Sequence, residues 1–447
     1  MQAGQGVNMA ARNSKSDIVI VGGGMVGMTL AAATSSAGIA TTLIEAESAH
    51  DLAAAKFDGR SSAIAYGSKQ VLAATGVWRY LEADAAPIRE IRVSDGGWRE
   101  TALRAAHESP FFVHYSTRDL PAGSAPRGER SAEDQPPFGW IVENRAVRRG
   151  LLKRLAECRD LTHIDSARVA DIDFRIGGAD LHLQDGRVID ARLVIAADGR
   201  NSAVRRLSGI GFKEFGYNQT AIVCTVAHEH DHRGVAHENF LPAGPFAMLP
   251  MTDGPDDQDV MRHRSSIVWT EDPRIVPWLL SLDNAALGIE IERRFGTTLG
   301  VLEPVGLRFS YPMRLLLADA YAKDGVALLG DAAHAIHPVA GQGFNLGVRD
   351  VAALAEALVD GYRLGLDLGS LAVLENYARW RRFDNLLLTG FTDGLVRLFS
   401  NDLPPVRLAR DLGFYAFNLM KPLKRFAMRH AMGTVGDLPR LVRGLPL

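Results

Sequence analysis

The sequence predicts an α/β chain: a discontinuous Rossmann-like layer that carries an inserted antiparallel sheet and ends in a helical C-terminal region. Three observations predict it. Residues 17–21 form a short apolar, β-branched run, followed at once by glycines and a helix-forming stretch, which is how a buried parallel sheet opens. Two later apolar runs, 192–197 and 325–329, each end in a turn signal, at Asp198-Gly199 and Gly330-Asp331. Between them, alternating segments such as 220–226 and 266–270 read as antiparallel strands.

The first strand runs into Gly22, Gly24 and Gly27, spaced G-x-G-x-x-G, then a helix over 28–37 and a second strand over 41–45 that ends at Glu45. The first glycine permits the tight turn, the second lets a pyrophosphate approach the backbone, and the third lets helix and strand pack closely. The helix N-terminus then offers free N–H groups and a positive dipole end to the anion. Glu45 stands where a carboxylate accepts hydrogen bonds from a ribose diol. This motif alone does not separate NAD from FAD.

The separation comes from the later motifs. After Asp198 and Gly199 come Arg200, Asn201, Ser202 and Arg205; after Gly330 and Asp331 comes the stretch 338–345, with Gly341, Gln342, Gly343 and Asn345, leading into a helix over 346–358. With the glycine triplet, in this order and at these separations, they resemble the flavin-dependent aromatic hydroxylases of the p-hydroxybenzoate hydroxylase group. Within that group the chain is similar to the ubiquinone-biosynthesis hydroxylases, on residues 58–63 with Gly67 and Ser68, 142–145, 244–250, 266–269 and 398–401. The resemblance covers the chain from about residue 17 to its end.

It implies FAD as cofactor, NAD(P)H as co-substrate, and hydroxylation of the ring of a polyprenyl-phenol with O2 through a C4a-hydroperoxyflavin. Asp331 at a strand end suits the ribityl hydroxyls, while a helix N-cap is its plainer reading. Gly341, Gln342 and Gly343 place backbone N–H groups near a helix N-terminus, suiting the electron-rich edge of a reduced isoalloxazine, with Asn345 in the first turn. By resemblance Arg60 approaches the FAD and Asn144 lies near its ribityl chain. The segment 198–205 is implied to serve both FAD and NAD(P)H, with Asp198 orienting backbone and Arg205 facing a phosphate; a turn aspartate with a surface arginine is the alternative. Only one G-x-G-x-x-G occurs, so NAD(P)H has no Rossmann unit of its own and binds transiently. No protein nucleophile is required, since the phenol supplies most of the activation. His334 and His337 share a spacing open to metal ligation, but no Cys or carboxylate cluster accompanies them and Pro338 follows, so they read as loop packing and no metal is expected. A prenyl reductase on the same fold and a non-catalytic FAD-binding scaffold are the other functions this pattern allows.

The expected division is an FAD-binding unit over 17–90, 138–212 and 312–380, a substrate unit over 91–137 and 213–311, and a helical region over 381–447. Phe246, Met248, Leu249, Pro250 and Trp269 are the apolar candidates for the prenyl-phenol pocket; each is also an ordinary core residue. Residues 120–137 and 252–264 read as exposed loops.

Charge completes the reading. Fifty Lys+Arg against fifty-two Asp+Glu give a net charge of -2, which argues against nucleic acid as a partner. Two cysteines build no disulfide framework and suggest a reducing, cytoplasmic setting. Residues 1–16 lack the apolar stretch of a signal peptide. From 394 onward, however, nine basic residues face three acidic ones, interleaved with Leu, Phe and Met. That pattern suits peripheral contact with an anionic inner-membrane surface or with other proteins of the pathway, or a helix packed on the flavin-binding unit.

Overall fold

The computed structural model describes residues 14–54, 57, 59–95, 112–120, 135–255, 260–335, 342–382 and 420–447. Gly341, His337 and most of the expected 120–137 loop lie outside these residues, as do 256–259 and 383–419.

The chain begins with β1 (Ser14–Val21), α1 (Met25–Ser36) and β2 (Thr41–Ile44), then α2 (Ala49–Ala53). Ile18, Val19 and Ile20 are wholly buried, as a strand covered on both faces demands. Every residue of α1 from Gly27 to Ser35 is buried, and its Ala and Gly content lets neighbours approach closely. β3 (Ser61–Ala65), α3 (Tyr66–Ala74), β4 (Ala86–Ile88), β5 (Glu90–Asp95), β6 (Phe112–Ser116) and β7 (Gly139–Glu143) follow, then α4 (Asn144–Leu155) and β8 (Leu161–Ile164). A hairpin of β9 (Val169–Arg175) and β10 (Gly178–Leu183) leads into β11 (Val188–Ala196) and α5 (Ala203–Leu207).

The insertion is β12 (Phe212–His228), β13 (Val235–Leu241), β14 (Gly244–Pro250), β15 (Gly254–Pro255), β16 (Met261–Glu271), α6 (Val276–Ser281), α7 (Asn284–Phe295) and β17 (Leu302–Ala318). The chain returns through β18 (Ala322–Lys323), β19 (Val326–Leu328) and β20 (His334–Ala335) to α8 (Gln342–Arg363), a helix over 371–382, and α9 (Lys421–Ala431). The strands expected at 220–226 and 266–270 thus extend to 17 and 11 residues, and the helix expected from 346 starts at Gln342.

Three sheets result. The first runs β18-β19-β11-β1-β2-β8, with β9 and β10 attached to β11; β19, β11, β1, β2 and β8 are mutually parallel. The second runs β20-β17-β12-β16-β14-β13-β5-β6 and is antiparallel apart from the β13–β5 pair. The third, β3-β7-β4, is small. β17 crosses the boundary expected between 311 and 312: it pairs with β12 from Leu302 to Ala318, and on its other edge Leu316 and Leu317 pair with Ala335 and His334.

The insertion sheet has two unlike faces. One carries Ile222, Cys224, Val226, Phe246, Met248, Ile267 and Trp269, packed under Val276 and Leu279 of α6 and Leu287, Ile291 and Phe295 of α7. The other turns toward the third sheet and the segment before β3: Arg264 Nη2 reaches Glu143 at the end of β7 at 2.9 Å, and Thr225 Oγ1 donates to the Gly59 carbonyl at 3.4 Å.

Candidate cofactor and substrate site

The three glycines of the first turn differ once their surroundings are known. Gly22 has φ +108°, and a Cβ there would fall 2.3 Å from the Ala197 carbonyl oxygen. A Cβ on Gly27 would fall 2.0 Å from the Gly22 carbonyl oxygen. Protein alone forbids side chains at these two. A Cβ on Gly24 would meet nothing within 4 Å, so the space above it is open. Gly24 also caps α1 with no side-chain hydrogen bond and no acidic residue in the first turn, which leaves the positive end of the helix facing that space. Glu45 braces the loop: its carboxylate accepts the N–H of Gly23 and that of Glu47, the latter at 2.8 Å.

The second and third motifs converge on the same place. Val26, in the first turn of α1, lies 3.4 Å from where a Cβ on Gly330 would stand and fills that space at Gly347 of α8, 2.6 Å away. The starts of α1 and α8 and the Gly330–Asp331 turn therefore adjoin. Asp331 is solvent-accessible, yet protein crowds its carboxyl enough that desolvation raises its pKa; both hold for a group on the floor of a cleft. It does not cap a helix, because Leu329 holds the N-cap position of the short turn Gly330–Ala332. Gly343 again faces open space. Asp198 Oδ2 accepts the N–H groups of Ala203 at 2.7 Å and Val204 at 3.2 Å, while its Oδ1 is buried with no partner among the described residues. An orphaned carboxylate oxygen, an open glycine and two helix N-termini form an acceptor and donor set that fits an FAD: hydroxyls for Asp198 and Asp331, pyrophosphate for the loop at Gly24.

Other expected residues have different positions. Asn345 is buried, its Oδ1 accepting the Ala65 N–H at 2.8 Å and its Nδ2 donating to the Ala63 carbonyl at 2.9 Å, so it pins α8 to β3. Asn144 Oδ1 accepts from Ser62 Oγ at 2.7 Å, joining α4 to the same strand. The Arg60 guanidinium lies 5.1 Å from the Phe309 ring centroid, between the flavin layer and the insertion sheet. Arg205 corrects the phosphate reading and the surface reading alike. It is 2% exposed, donates to the Ala332 and Arg200 carbonyls at 2.7 and 2.8 Å, and covers the Phe212 ring at 4.4 Å. It braces the Asp331 turn from behind. His334 Nε2 lies 2.6 Å from Asp350 Oδ2 in the interior.

The pocket candidates also need correction. Phe246, Met248 and Trp269 sit in the core under α6 and α7, and Pro250, two residues beyond Met248, points the same way. Of the five, Leu249 alone faces the flavin layer, against Ala236 and Tyr115. The register gives the residues that do line that face: Val93, Glu238, Ala247, Val268, Val223 and Phe309 lie side by side across β5, β13, β14, β16, β12 and β17. The motif reading missed Glu238, and Asp350 with Arg381. Each acid interrupts an apolar series, Ala236-Glu238-Phe240 on a strand and Asp350 beside Val348, Val351 and Ala352 on a helix, and that interruption is the signal.

A family described as "FAD binding domain" matches residues 15–382. The chain is 48% identical over 434 residues to "Ubiquinone hydroxylase UbiL" of Rhodospirillum rubrum, covering 96% of this chain and 93% of that one. It is 35% identical to "3-demethoxyubiquinol 3-hydroxylase" of Escherichia coli, over 94% and 99% of the two chains. Among solved structures, p-nitrophenol 4-monooxygenase PnpA from Pseudomonas putida superposes with a TM-score of 0.74 at 19% identity, covering 95% of this chain and all of that one; at that identity the likeness shows the fold.

Proposed function

This chain belongs to the FAD-binding-domain family and is an FAD-dependent hydroxylase of ubiquinone biosynthesis, and from that premise we propose that it inserts one oxygen atom into the aromatic ring of a polyprenyl-phenol, consuming O2 and NAD(P)H. The observation that carries this reading is the meeting of the glycine loop, the Asp331 turn and the α8 N-terminus opposite an apolar row of the insertion sheet. When bound and reduced, the flavin supplies the activated oxygen. The chain's own residues do the rest. The loop at Gly24 and the α1 N-terminus hold the pyrophosphate; Glu45, Asp198 and Asp331 accept from ribose and ribityl hydroxyls; the N–H groups at Gln342 and Gly343 face the flavin ring. Val93, Val223, Ala247, Leu249, Val268 and Phe309 seat the phenol and keep water from the reacting centre.

We take NAD(P)H to bind transiently in a groove of the same unit, in keeping with the single glycine fingerprint. Residues 17–90, 138–212 and 312–380 form the flavin-binding unit in this reading, 91–137 and 213–311 the substrate unit, and 381–447 the C-terminal region. The test is turnover of the purified, FAD-loaded protein with a short-chain prenyl-phenol under isotopically labelled O2. Phenol-stimulated NAD(P)H oxidation with one labelled oxygen in the product is the expected result. A prenyl chain reduced without O2, or a flavin that NAD(P)H does not reduce, would replace this reading with a reductase or a scaffold.

Among the described residues no helix is long and apolar enough to cross a membrane. α9 buries Met428 and ties Lys424 to Asp119 at 2.9 Å, while Met420, Leu423 and Phe426 stay exposed beside Lys421, Arg425 and Arg429. We propose that this face rests on an anionic bilayer. Cosedimentation with vesicles containing anionic lipid, lost at high salt and with Leu423→Glu/Phe426→Glu, is expected; equal recovery with neutral vesicles would remove the charge from the account, and no recovery with either would remove the membrane.

A further inference from the structure

Glu238 is placed by register. On β13, His237 packs edge-on against Phe295 of α7, ring centroids 5.1 Å apart, so Ala236, Glu238 and Phe240 take the opposite face. Glu238 pairs with Ala247, Ala247 with Val268, Val268 with Val223 and Val223 with Phe309, and on the other side Glu238 pairs with Val93. Paired residues share a face. Arg264, on the Val268 side of β16, reaches Glu143 of the third sheet, and Arg60 lies over Phe309, so this row opens on the flavin layer. Apart from Glu238 it is Ala, Val and Phe.

Glu238 is 9% exposed and has no hydrogen bond or ion pair among the described residues. A carboxyl buried without a partner is costly, and burial alone pushes its pKa up to about 7. An unsatisfied carboxyl on an apolar, partly accessible row calls for a polar ligand atom on an apolar body.

We infer that Glu238 receives the hydroxyl of the phenolic substrate and accepts its proton during hydroxylation. This rests on the phenol reading above. The phenolic O–H bond breaks and its proton passes to a Glu238 oxygen, while the oxygen lone pair flows into the ring as the new carbon–oxygen bond forms. The attacked carbon then releases its hydrogen to solvent as a proton, and Glu238 returns its proton to the phenol oxygen. NAD(P)H supplies the two electrons, and the second atom of O2 leaves as water. A base with a pKa near the working pH is well matched to this task.

Glu238→Gln, Glu238→Asp and wild type, each full-length and FAD-loaded, are compared on one prenyl-phenol across pH 5 to 9. For Glu238→Gln, kcat/KM for hydroxylation is expected to fall about 10²-fold and to lose the rise that the wild type shows near neutrality. FAD content stays unchanged, and Glu238→Asp keeps the pH dependence. A Glu238→Gln enzyme within twofold of wild type, or one equally slow with the wild-type pH profile intact, overturns the assignment. A wild type that hydroxylates no phenol overturns the phenol reading, and this inference with it.

Discussion

Gly24→Val gives a folded chain that no longer retains FAD. The position has open space in front of it, so a side chain strains nothing in the protein, and thermal unfolding of the apo form should match wild type. The same side chain fills the approach of the pyrophosphate to the α1 N-terminus, for an expected loss of about 3 kcal/mol or more in FAD binding, roughly 10²-fold. Flavin absorbance after desalting, and the shift in melting temperature on adding FAD, measure it. Gly27→Val serves as the contrast. Its Cβ would stand 2.0 Å from the Gly22 carbonyl, so that variant loses stability before any cofactor is considered. Stoichiometric flavin in Gly24→Val would mean the pyrophosphate lies elsewhere.

Asp350→Ala unfolds more easily than wild type by about 3–5 kcal/mol. The carboxylate is wholly buried, with Oδ1 accepting from Arg381 Nε at 2.6 Å and Oδ2 from His334 Nε2 at 2.6 Å and the Gly330 N–H at 3.0 Å. Removing it takes away the carboxylate that Arg381 and His334 share and frees the turn that presents Asp331, so flavin retention falls too. Burial pushes this carboxyl up, but His334 and Arg381 beside it outweigh burial and hold its pKa at about 2 rather than 3.8. A depressed carboxyl stabilises fully above its unfolded pKa and loses that contribution as pH falls toward the folded one. About 2 kcal/mol should therefore disappear from wild type between pH 4 and 2, and not from Asp350→Ala. Equal denaturant midpoints for the two proteins at pH 7 would sink the argument.

The flavin layer was legible because its chemistry demands particular residues at fixed spacing. A tight turn, an anion and a close helix crossing each require glycine, and Gly22, Gly24 and Gly27 meet those needs within six residues. Spacing gave Gly24 as the one a pyrophosphate approaches; what it could not give was the partner that forbids a side chain at Gly22, the Ala197 carbonyl far along the chain. The substrate side was legible as strands and misread as faces. Period-2 alternation shows that Phe246 and Met248 share a side, but the side they share is set by where α6 and α7 fold back, a contact no local pattern encodes. Arg205 failed for a related reason: a basic residue after a turn looks exposed until β12 brings Phe212 over it. Glu238 was hidden by its company, because the stretch from His228 to Glu238 is dense in His and acids and reads as a polar loop until the register is known.

The split of the parallel sheet has a consequence for how the protein is made. β11 pairs with β1 near the beginning of the chain and with β19 only after the whole insertion has been translated. Until residues 326–328 leave the ribosome, Val194, Ile195 and Ala196 stand as an open apolar edge, a template for pairing with another chain. α8, which closes the flavin cleft, is later still. A nascent or truncated polypeptide ending before β19 therefore cannot seal its own sheet, and its aggregation should be relieved by supplying the missing C-terminal part in trans rather than by adding FAD.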